Sequence, residues 1–133
     1  MLGFVVVSHS KKLAEEIINL CNEMKKYEFP VENGSGIIDG GLGSDPMIIK
    51  SAIEKAFLEK GVVIFADLGS SVMNSEIAIE FLDESFDKNK VKIADAPIVE
   101  GLIMSMAIND EKLTLEELFQ ELDGIKTMKK VHN

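Results

Sequence analysis

The stretch LGFVVVSHS at residues 2–10 sets both the expected fold and the expected site. Residues 2–7 are apolar and include three consecutive valines, which is typical of a parallel strand buried on both faces. Three polar residues, Ser8, His9 and Ser10, follow at once, and a helical pattern begins after them. His9 is therefore predicted at the carboxyl end of a sheet strand, the edge where open α/β sheets bind their ligands.

Strand and helix patterns alternate through the rest of the chain. The predicted strands lie at residues 2–7, around 30–31, at 62–66 and at 91–94. The first predicted helix covers residues 11–26, the second runs from 46 to a stop at Gly61, and the third follows Ser71. The fourth covers residues 98–108, and the last begins with a capping box at Thr114. This β-α-β-α-β-α-β-α-α order predicts an α/β fold with an open, mainly parallel sheet, helices on both faces and right-handed crossovers. We expect residues 1–133 to form a single domain.

Apolar spacing also predicts which helix faces point inward. In the first helix the expected inward residues are Leu13, Ile17, Leu20, Cys21 and Met24. In the helix after Ser71 they are Val72, Met73, Ile77, Phe81 and Leu82.

Composition excludes several classes of partner. Apolar residues make up 46% and charged residues 28% of the 133 residues, which is ordinary for a globular protein. A net charge of −9 does not provide the basic surface that nucleic acids or anionic membranes need. No apolar run is long enough for a membrane span or a secretory leader, and the single cysteine agrees with a reducing compartment, so we expect a cytoplasmic protein.

A glycine-rich segment separates the second predicted strand from the second helix. Five glycines fall within residues 34–43, but no Gly-Lys-Ser/Thr follows, so this is not a phosphate-binding P-loop. Two interpretations carry equal weight: an ordinary connection, or a loop over the site beside His9. In the second case Gly40 and Gly43 are candidate rim residues.

The candidate chemistry lies where two strands end. Asp67 follows the strand at 62–66, so its carboxylate can orient the His9 imidazole if the two strands are neighbours. The imidazole would then be a base or a nucleophile, and the helix starts at Ser10 and at Gly69, Ser70 and Ser71 would supply an anion site. The plain alternatives are a hydrogen-bonded loop histidine and a capped turn at Asp67. Neither zinc-ligand spacing nor a GxSxG nucleophile motif occurs, and we predict no metal or other cofactor.

Three motifs in register resemble one known family. They are VVSHS at residues 6–10, DLGSS at 67–71 and APIVEG at 96–101. Together they are similar to the mannose-type IIA proteins of the bacterial phosphotransferase system, which have a flavodoxin-like fold. The second and third motifs favour the branch that contains the phosphoryl-carrier subunit of phosphoenolpyruvate-dependent dihydroxyacetone kinase.

The resemblance implies a carrier cycle centred on His9. His9 would accept a phosphoryl group on Nε2 from the histidine-containing phosphocarrier protein, with Asp67 holding Nδ1. It would pass the group to ADP bound on the nucleotide-binding subunit of dihydroxyacetone kinase, in a system of glycerol metabolism. Family members are usually homodimers, and the donor is expected to be a separate protein.

Two other functions stay open at this point. One is a mannose-type sugar transporter IIA component. The other is a non-catalytic flavodoxin-like regulatory module, which would bind a ligand at residues 34–44 and would not depend on His9. A receiver domain fits less well, because Ser8 and His9 stand where such a domain needs an acidic pair.

Overall fold

A computed structural model describes residues 1–132 of the chain. Within them lie the strands β1 Gly3–Val7, β2 Val31–Asn33, β3 Val62–Ala66 and β4 Val91–Ile93, and the helices α1 Lys11–Asn22, α2 Pro46–Ala56, α3 Gly69–Glu80, α4 Ile98–Ile108 and α5 Leu115–Lys126. All strand pairs are parallel and the sheet order is β2-β1-β3-β4. The predicted flavodoxin-like α/β fold is confirmed.

Strand β1 is central and has a helical layer on each side. Phe4 and Val6 pack into a cluster with residues of α1, α4 and α5. Val5 and Val7 point the other way, into a cluster with residues of α2 and α3. The whole strand is buried, as its run of apolar residues predicted, because alternate side chains enter opposite layers.

The pairing of β1 with β3 brings the two strand ends together. The register runs from Gly3 opposite Val62 to Val7 opposite Ala66. The residues that follow, Ser8 and Asp67, therefore leave the sheet side by side at its carboxyl edge. This edge carries the candidate site.

Helix caps follow the local sequence signals. The Ser10 side chain accepts a hydrogen bond from Leu13 N–H at the start of α1, and Asp45 caps α2, where Pro46 is the first helical residue. Thr114 and Glu117 form the predicted capping box at α5. Each cap satisfies backbone donors that the first helical turn leaves without intrahelical partners.

Helix α1 differs from its prediction in length and in orientation. It ends at Asn22 rather than at residue 26, because Met24 N–H bonds Cys21 O in a tighter three-residue turn. Ile17 and Cys21 are buried as predicted, and Ala14 joins them. The other three predicted inward residues are exposed: Leu13, Leu20 and Met24.

Helix α3 also turns its apolar residues outward, contrary to the prediction. Of the five expected inward residues only Leu82 is buried, while Val72, Met73, Ile77 and Phe81 are exposed. The buried face consists of small residues: Ser71, Ser75 and Ala78. The hydroxyls on this face have partners there, since the buried Ser71 hydroxyl bonds Asp67 and the Ser75 hydroxyl bonds Ser71 O.

Further boundaries differ slightly, and α3 begins at Gly69 rather than after Ser71. Helix α2 ends at Ala56, and Gly61, the predicted stop, instead closes a turn in which its N–H bonds Leu58 O. Strand β4 ends at Ile93, one residue before the predicted end. Among the helices of residues 1–132, none has the length and apolar character that crossing a membrane requires.

Candidate active site

His9 and Asp67 meet at the carboxyl edge of β1 and β3. Asp67 Oδ1 lies 3.0 Å from His9 Nδ1, and the two side chains are 16% and 29% exposed, respectively. The site is therefore shielded at the carboxylate and open at the imidazole. The sequence predicted this contact between Asp67 and His9 on the condition that β1 and β3 are neighbours, and the two strands are paired in the structure.

The Asp67 carboxylate accepts hydrogen bonds on both oxygens. Oδ1 accepts from Ser71 Oγ at 2.8 Å and from Leu68 N–H at 2.7 Å, in addition to the His9 ring contact. Oδ2 accepts from Ser8 Oγ at 2.9 Å and from His9 N–H at 3.0 Å. These hydrogen bonds hold the carboxylate beside His9 Nδ1.

These contacts keep Asp67 ionised. Partial burial by itself raises the pKa of a carboxyl group, but the hydrogen bonds from His9 N–H, Ser71, the His9 ring and Ser8 outweigh it and lower the pKa of Asp67 to about 2. An ionised carboxylate only accepts hydrogen bonds, so His9 Nδ1 must carry the proton. When the ring is neutral, Nε2 then holds the lone pair.

A serine hydroxyl occupies the position in front of that lone pair. Ser70 Oγ lies 2.5 Å from His9 Nε2, and Ser71 Oγ lies 3.1 Å from Nδ1. In that tautomer of the neutral ring, the Ser70 hydroxyl donates to Nε2. Both serines belong to the first turn of α3, which begins at Gly69, so the start of this helix faces the His9 ring.

Ser10 has a different place from Ser70 and Ser71. Its hydroxyl accepts from Leu13 N–H at 3.2 Å, and its own N–H bonds Ser8 Oγ at 3.0 Å. Its side chain therefore caps α1 directly beside the site.

The glycine-rich loop touches the site through one of its two candidate rim residues. Gly43 N–H donates to His9 O at 2.8 Å, with a φ of 137° that favours glycine. Gly40 closes a turn of its own by donating to Ile37 O at 2.9 Å. Asn74 of α3 holds the end of the loop against this helix, because its Nδ2 donates a hydrogen bond to Ser44 Oγ at 2.7 Å.

Two serines in the site were not assigned a role from the sequence. Ser8 is fully buried and bridges Asp67 Oδ2 and Ser10 N–H, while Ser35 Oγ accepts from Ser8 N–H at 2.8 Å and donates to Val6 O at 3.1 Å. A serine that ends a fully buried apolar strand is a usable signal, since a buried hydroxyl needs a partner.

A metal has no evident ligands in the described part of the chain. Residues 1–132 contain no group of three or more His, Cys, Asp or Glu side chains placed to hold a metal ion.

Comparisons with known proteins place this site in a family context. The phosphoryl donor subunit DhaM of PEP-dependent dihydroxyacetone kinase 2 from Listeria innocua serovar 6a is 31% identical over 125 residues, which is 94% of this chain and 99% of that protein. The phosphotransferase subunit DhaM of a PTS-dependent dihydroxyacetone kinase from Lactococcus lactis is 28% identical, over 91% of this chain and 93% of the relative. The DhaM of Providencia stuartii is 30% identical, but this chain covers only 26% of its length.

Solved structures agree with the fold. The crystal structure of the unknown-function protein EF1359 matches with a TM-score of 0.80 and 32% identity, over 99% of this chain and 98% of the other. The phosphotransferase system component EIIA from Streptococcus agalactiae matches with a TM-score of 0.66 over 95% of this chain and 92% of the other, and at 15% identity it supports the fold alone.

The family assignment rests on the whole length of the fold. The family described as PTS system fructose IIA component matches residues 3–122, from the first residue of β1 into α5. The resemblance predicted from the three motifs is thereby confirmed, and the chain belongs to the mannose-type IIA family of the phosphotransferase system.

Proposed function

We propose that this protein is a phosphohistidine carrier of a dihydroxyacetone kinase system. His9 takes a phosphoryl group from the histidine-containing phosphocarrier protein and passes it to ADP bound on the nucleotide-binding kinase subunit. One observation carries the proposal: Asp67 Oδ1 lies 3.0 Å from His9 Nδ1, and this contact directs the Nε2 lone pair towards the Ser70 hydroxyl at the sheet edge. The names of the relatives from Listeria innocua and Lactococcus lactis support the same system.

Transfer begins with attack by Nε2 on the phosphorus atom of the donor. The P–N bond of the donor phosphohistidine breaks as the new P–N bond forms, and the donor imidazole leaves with its electron pair. The proton on His9 Nδ1 stays in place, so the phosphorylated ring gains positive charge. The Asp67 carboxylate, held by Ser8 and Ser71, stabilises that charge at close range.

The Ser70 hydroxyl has two successive partners in this cycle. Before transfer it donates to the Nε2 lone pair at 2.5 Å, so it must turn aside as the P–N bond forms. Afterwards it can donate to a phosphoryl oxygen, together with the backbone at the start of α3 near Gly69. Transfer to ADP reverses the first step: the phosphate oxygen of ADP attacks, and the P–N electron pair returns to Nε2.

The proposal extends to assembly and location. Residues 1–133 would act as a single carrier domain, as a homodimer in the cytoplasm, within glycerol metabolism and without a metal or other cofactor. Size-exclusion chromatography with light scattering tests the dimer, for which a mass of twice 14.6 kDa is expected.

A sugar transporter IIA component is the second candidate. It is favoured by one observation, that the matching family is described as a fructose IIA component. The two functions differ in the acceptor: ADP on a kinase subunit, or a second phosphorylatable protein of a transporter.

Labelling on His9 tests the proposal. The protein is incubated with 32P-phosphoenolpyruvate, the first enzyme of the phosphotransferase system and the phosphocarrier protein, and acid-labile label is measured. We expect label on the wild type and on His132→Ala, which removes the other of the two histidines, and none on His9→Ala. Unlabelled wild type, or labelled His9→Ala, would contradict it. Chasing the label with ADP-loaded kinase subunits should yield ATP, whereas a label that moves only to a transporter protein would favour the second candidate.

A further inference from the structure

Ser8 lies directly before His9 but faces the interior of the protein. The residue is fully buried, whereas the His9 side chain is 29% exposed at the sheet edge. Asp67 N–H donates to Val7 O at 3.1 Å, so the two chain segments that follow β1 and β3 stay side by side at this point. A protein that docks at His9 cannot touch Ser8, and any effect of Ser8 on the site must pass through its neighbours.

The hydrogen bonds of Ser8 fix the direction of its hydroxyl group. Its Oγ accepts from Ser10 N–H at 3.0 Å and lies 2.9 Å from Asp67 Oδ2. Because an ionised carboxylate only accepts hydrogen bonds, the single hydroxyl proton of Ser8 is directed at Asp67. The main chain is held as well, since Ser8 N–H donates to Ser35 Oγ at 2.8 Å. Ser8 is thus a fixed donor to Oδ2, while Oδ1 contacts the His9 ring.

This donor acts on the negative charge that faces the His9 ring. A hydrogen bond that stabilises the charged form of a carboxyl group lowers the affinity of that group for a proton. The same effect weakens the carboxylate of Asp67 as an acceptor for the proton on His9 Nδ1. Without Ser8, Asp67 would therefore bind a positively charged ring more tightly than it does in the native site.

We propose that Ser8 is a positioning residue that acts through Asp67 to keep the phosphoryl group of phosphorylated His9 transferable. The inference rests on the proposed function, in which His9 first gains the group and then gives it up. When the P–N bond breaks, its electron pair returns to Nε2 and the ring loses its positive charge. A carboxylate that binds the charged ring too tightly opposes this second step, so the donor on Oδ2 favours release to the acceptor.

Ser8 isolates this effect better than Ser71 does. Ser71 Oγ lies 2.8 Å from Asp67 Oδ1 and 3.1 Å from His9 Nδ1, so its removal would change the ring contact directly. The partners of Ser8 Oγ within residues 1–132 are Asp67 Oδ2 and Ser10 N–H, and neither belongs to the ring. A substitution at Ser8 therefore reaches His9 through the carboxylate.

Two substitutions and a matched control test the proposal. Ser8→Ala removes the donor, and Ser8→Cys keeps a side chain of similar size with a weak S–H donor. Ser75→Ala is the control, because Ser75 is also fully buried and its hydroxyl donates to a main-chain oxygen, Ser71 O. Each protein is mixed with 32P-labelled phosphocarrier protein, and the equilibrium distribution of label between the two proteins is measured. The rate of transfer from the isolated phosphorylated protein to ADP-loaded kinase subunit is then measured in a single turnover.

Ser8→Ala should shift the equilibrium towards phosphorylated His9 about fivefold and slow transfer to ADP by a similar factor, the order expected when part of one charge-assisted hydrogen bond is lost. KM for the phosphocarrier protein should change less than about twofold, because Ser8 is buried. Ser75→Ala should stay within about twofold of wild type in every constant. Ser8→Cys should shift the equilibrium in the same direction as Ser8→Ala, and it decides the question if Ser8→Ala does not fold.

A second measurement does not depend on phosphorylation. In unphosphorylated protein labelled with 15N-histidine, the proton on His9 Nδ1 should resonate further downfield in both Ser8 variants than in wild type, because its hydrogen bond to Asp67 is stronger. The same proton should keep its wild-type position in Ser75→Ala.

Three results would overturn the role of Ser8. They are an equilibrium that stays within about twofold of wild type or shifts towards the phosphocarrier protein in the Ser8 variants, an equal shift in Ser75→Ala, and an unchanged Nδ1–H resonance. Failure of the proposed function looks different, because wild-type His9 would then take no phosphoryl group from the phosphocarrier protein. The Nδ1–H resonance would still report whether Ser8 acts on His9 through Asp67.

Discussion

Replacing Asp67 with asparagine should remove a specific part of the pH dependence of stability. The native carboxylate is held by Ser8, Ser71 and the His9 backbone and ring, and its pKa is lowered to about 2 from an ordinary value of 3.8. A depressed pKa means that the folded state favours the ionised form. The stabilisation is therefore complete well above pH 3.8 and is lost as the pH falls through 3.8 towards 2.

The size of this stabilisation follows from the lowering of the Asp67 pKa. A difference of 3.8 − 2, or about 1.8 units, corresponds to about 2 kcal/mol of unfolding free energy, because one unit is worth 1.36 kcal/mol. About half of that amount should disappear between pH 5 and pH 3. Asp67→Asn has no carboxyl group at this position, so its stability should lack this component at every pH.

Urea unfolding, followed by circular dichroism at pH 7, 5, 4 and 3, measures the effect. At pH 7 the variant should be less stable than wild type by about 2 kcal/mol, and the gap should narrow by about 1 kcal/mol at pH 3. Asp39→Asn, in the exposed glycine-rich loop, provides the control and should follow the wild-type curve. A gap between wild type and Asp67→Asn that stays constant from pH 7 to pH 3 would refute the reasoning.

Four further predictions concern residues away from His9. Gly124→Ala should raise the unfolding free energy by about 0.5–1 kcal/mol in a urea titration, because outside the neighbouring helix backbone no atom lies within 4 Å of the added Cβ and the helix loses a glycine. Gly3→Ala should lower it by about 3 kcal/mol, since its Cβ would lie 1.9 Å from Ala56 O. Ser105→Ala should leave stability unchanged or raise it by up to about 1 kcal/mol, because the buried Ser105 hydroxyl has no hydrogen-bond partner, and a loss above 1 kcal/mol would contradict this. Cys21, whose pKa is raised to about 11 by burial, should react with a disulfide reagent at pH 8 far more slowly in the native protein than in urea.

Local signals were sufficient to predict most of the fold. The apolar run of β1, the proline at the start of α2 and the capping box of α5 each specify one element through a few neighbouring residues. Helix α4 was predicted over residues 98–108 and has those bounds. The parallel sheet then follows from the alternation of strands and helices.

Helix orientation could not be predicted because it depends on tertiary contacts. In α3, apolar spacing favoured burial of Met73 and Ile77, yet the buried face contains Ser71 and Ser75. The Ser71 hydroxyl is needed at Asp67, and satisfying this polar contact fixes the rotation of the helix. The prediction used the spacing of apolar side chains only, so it could not detect a buried face made of hydroxyl groups.

The site was predictable in its two central residues but not in their supports. His9 and Asp67 each follow a buried strand, and this pattern can be seen in the sequence alone. The bridging role of Ser8 requires the register of β1 against β3, and the contact of Asn74 with Ser44 joins residues far apart in the chain. Such contacts can be predicted only once the sheet order is known.

The most direct test of the central claim is to identify the phosphorylated atom. The protein is labelled with 15N-histidine, phosphorylated through the phosphocarrier protein and examined by 15N NMR with phosphorus coupling. Phosphorus should couple to Nε2 of His9, while Nδ1 keeps its proton and its bond to Asp67. Coupling to Nδ1, or phosphate on any residue other than His9, would contradict the account.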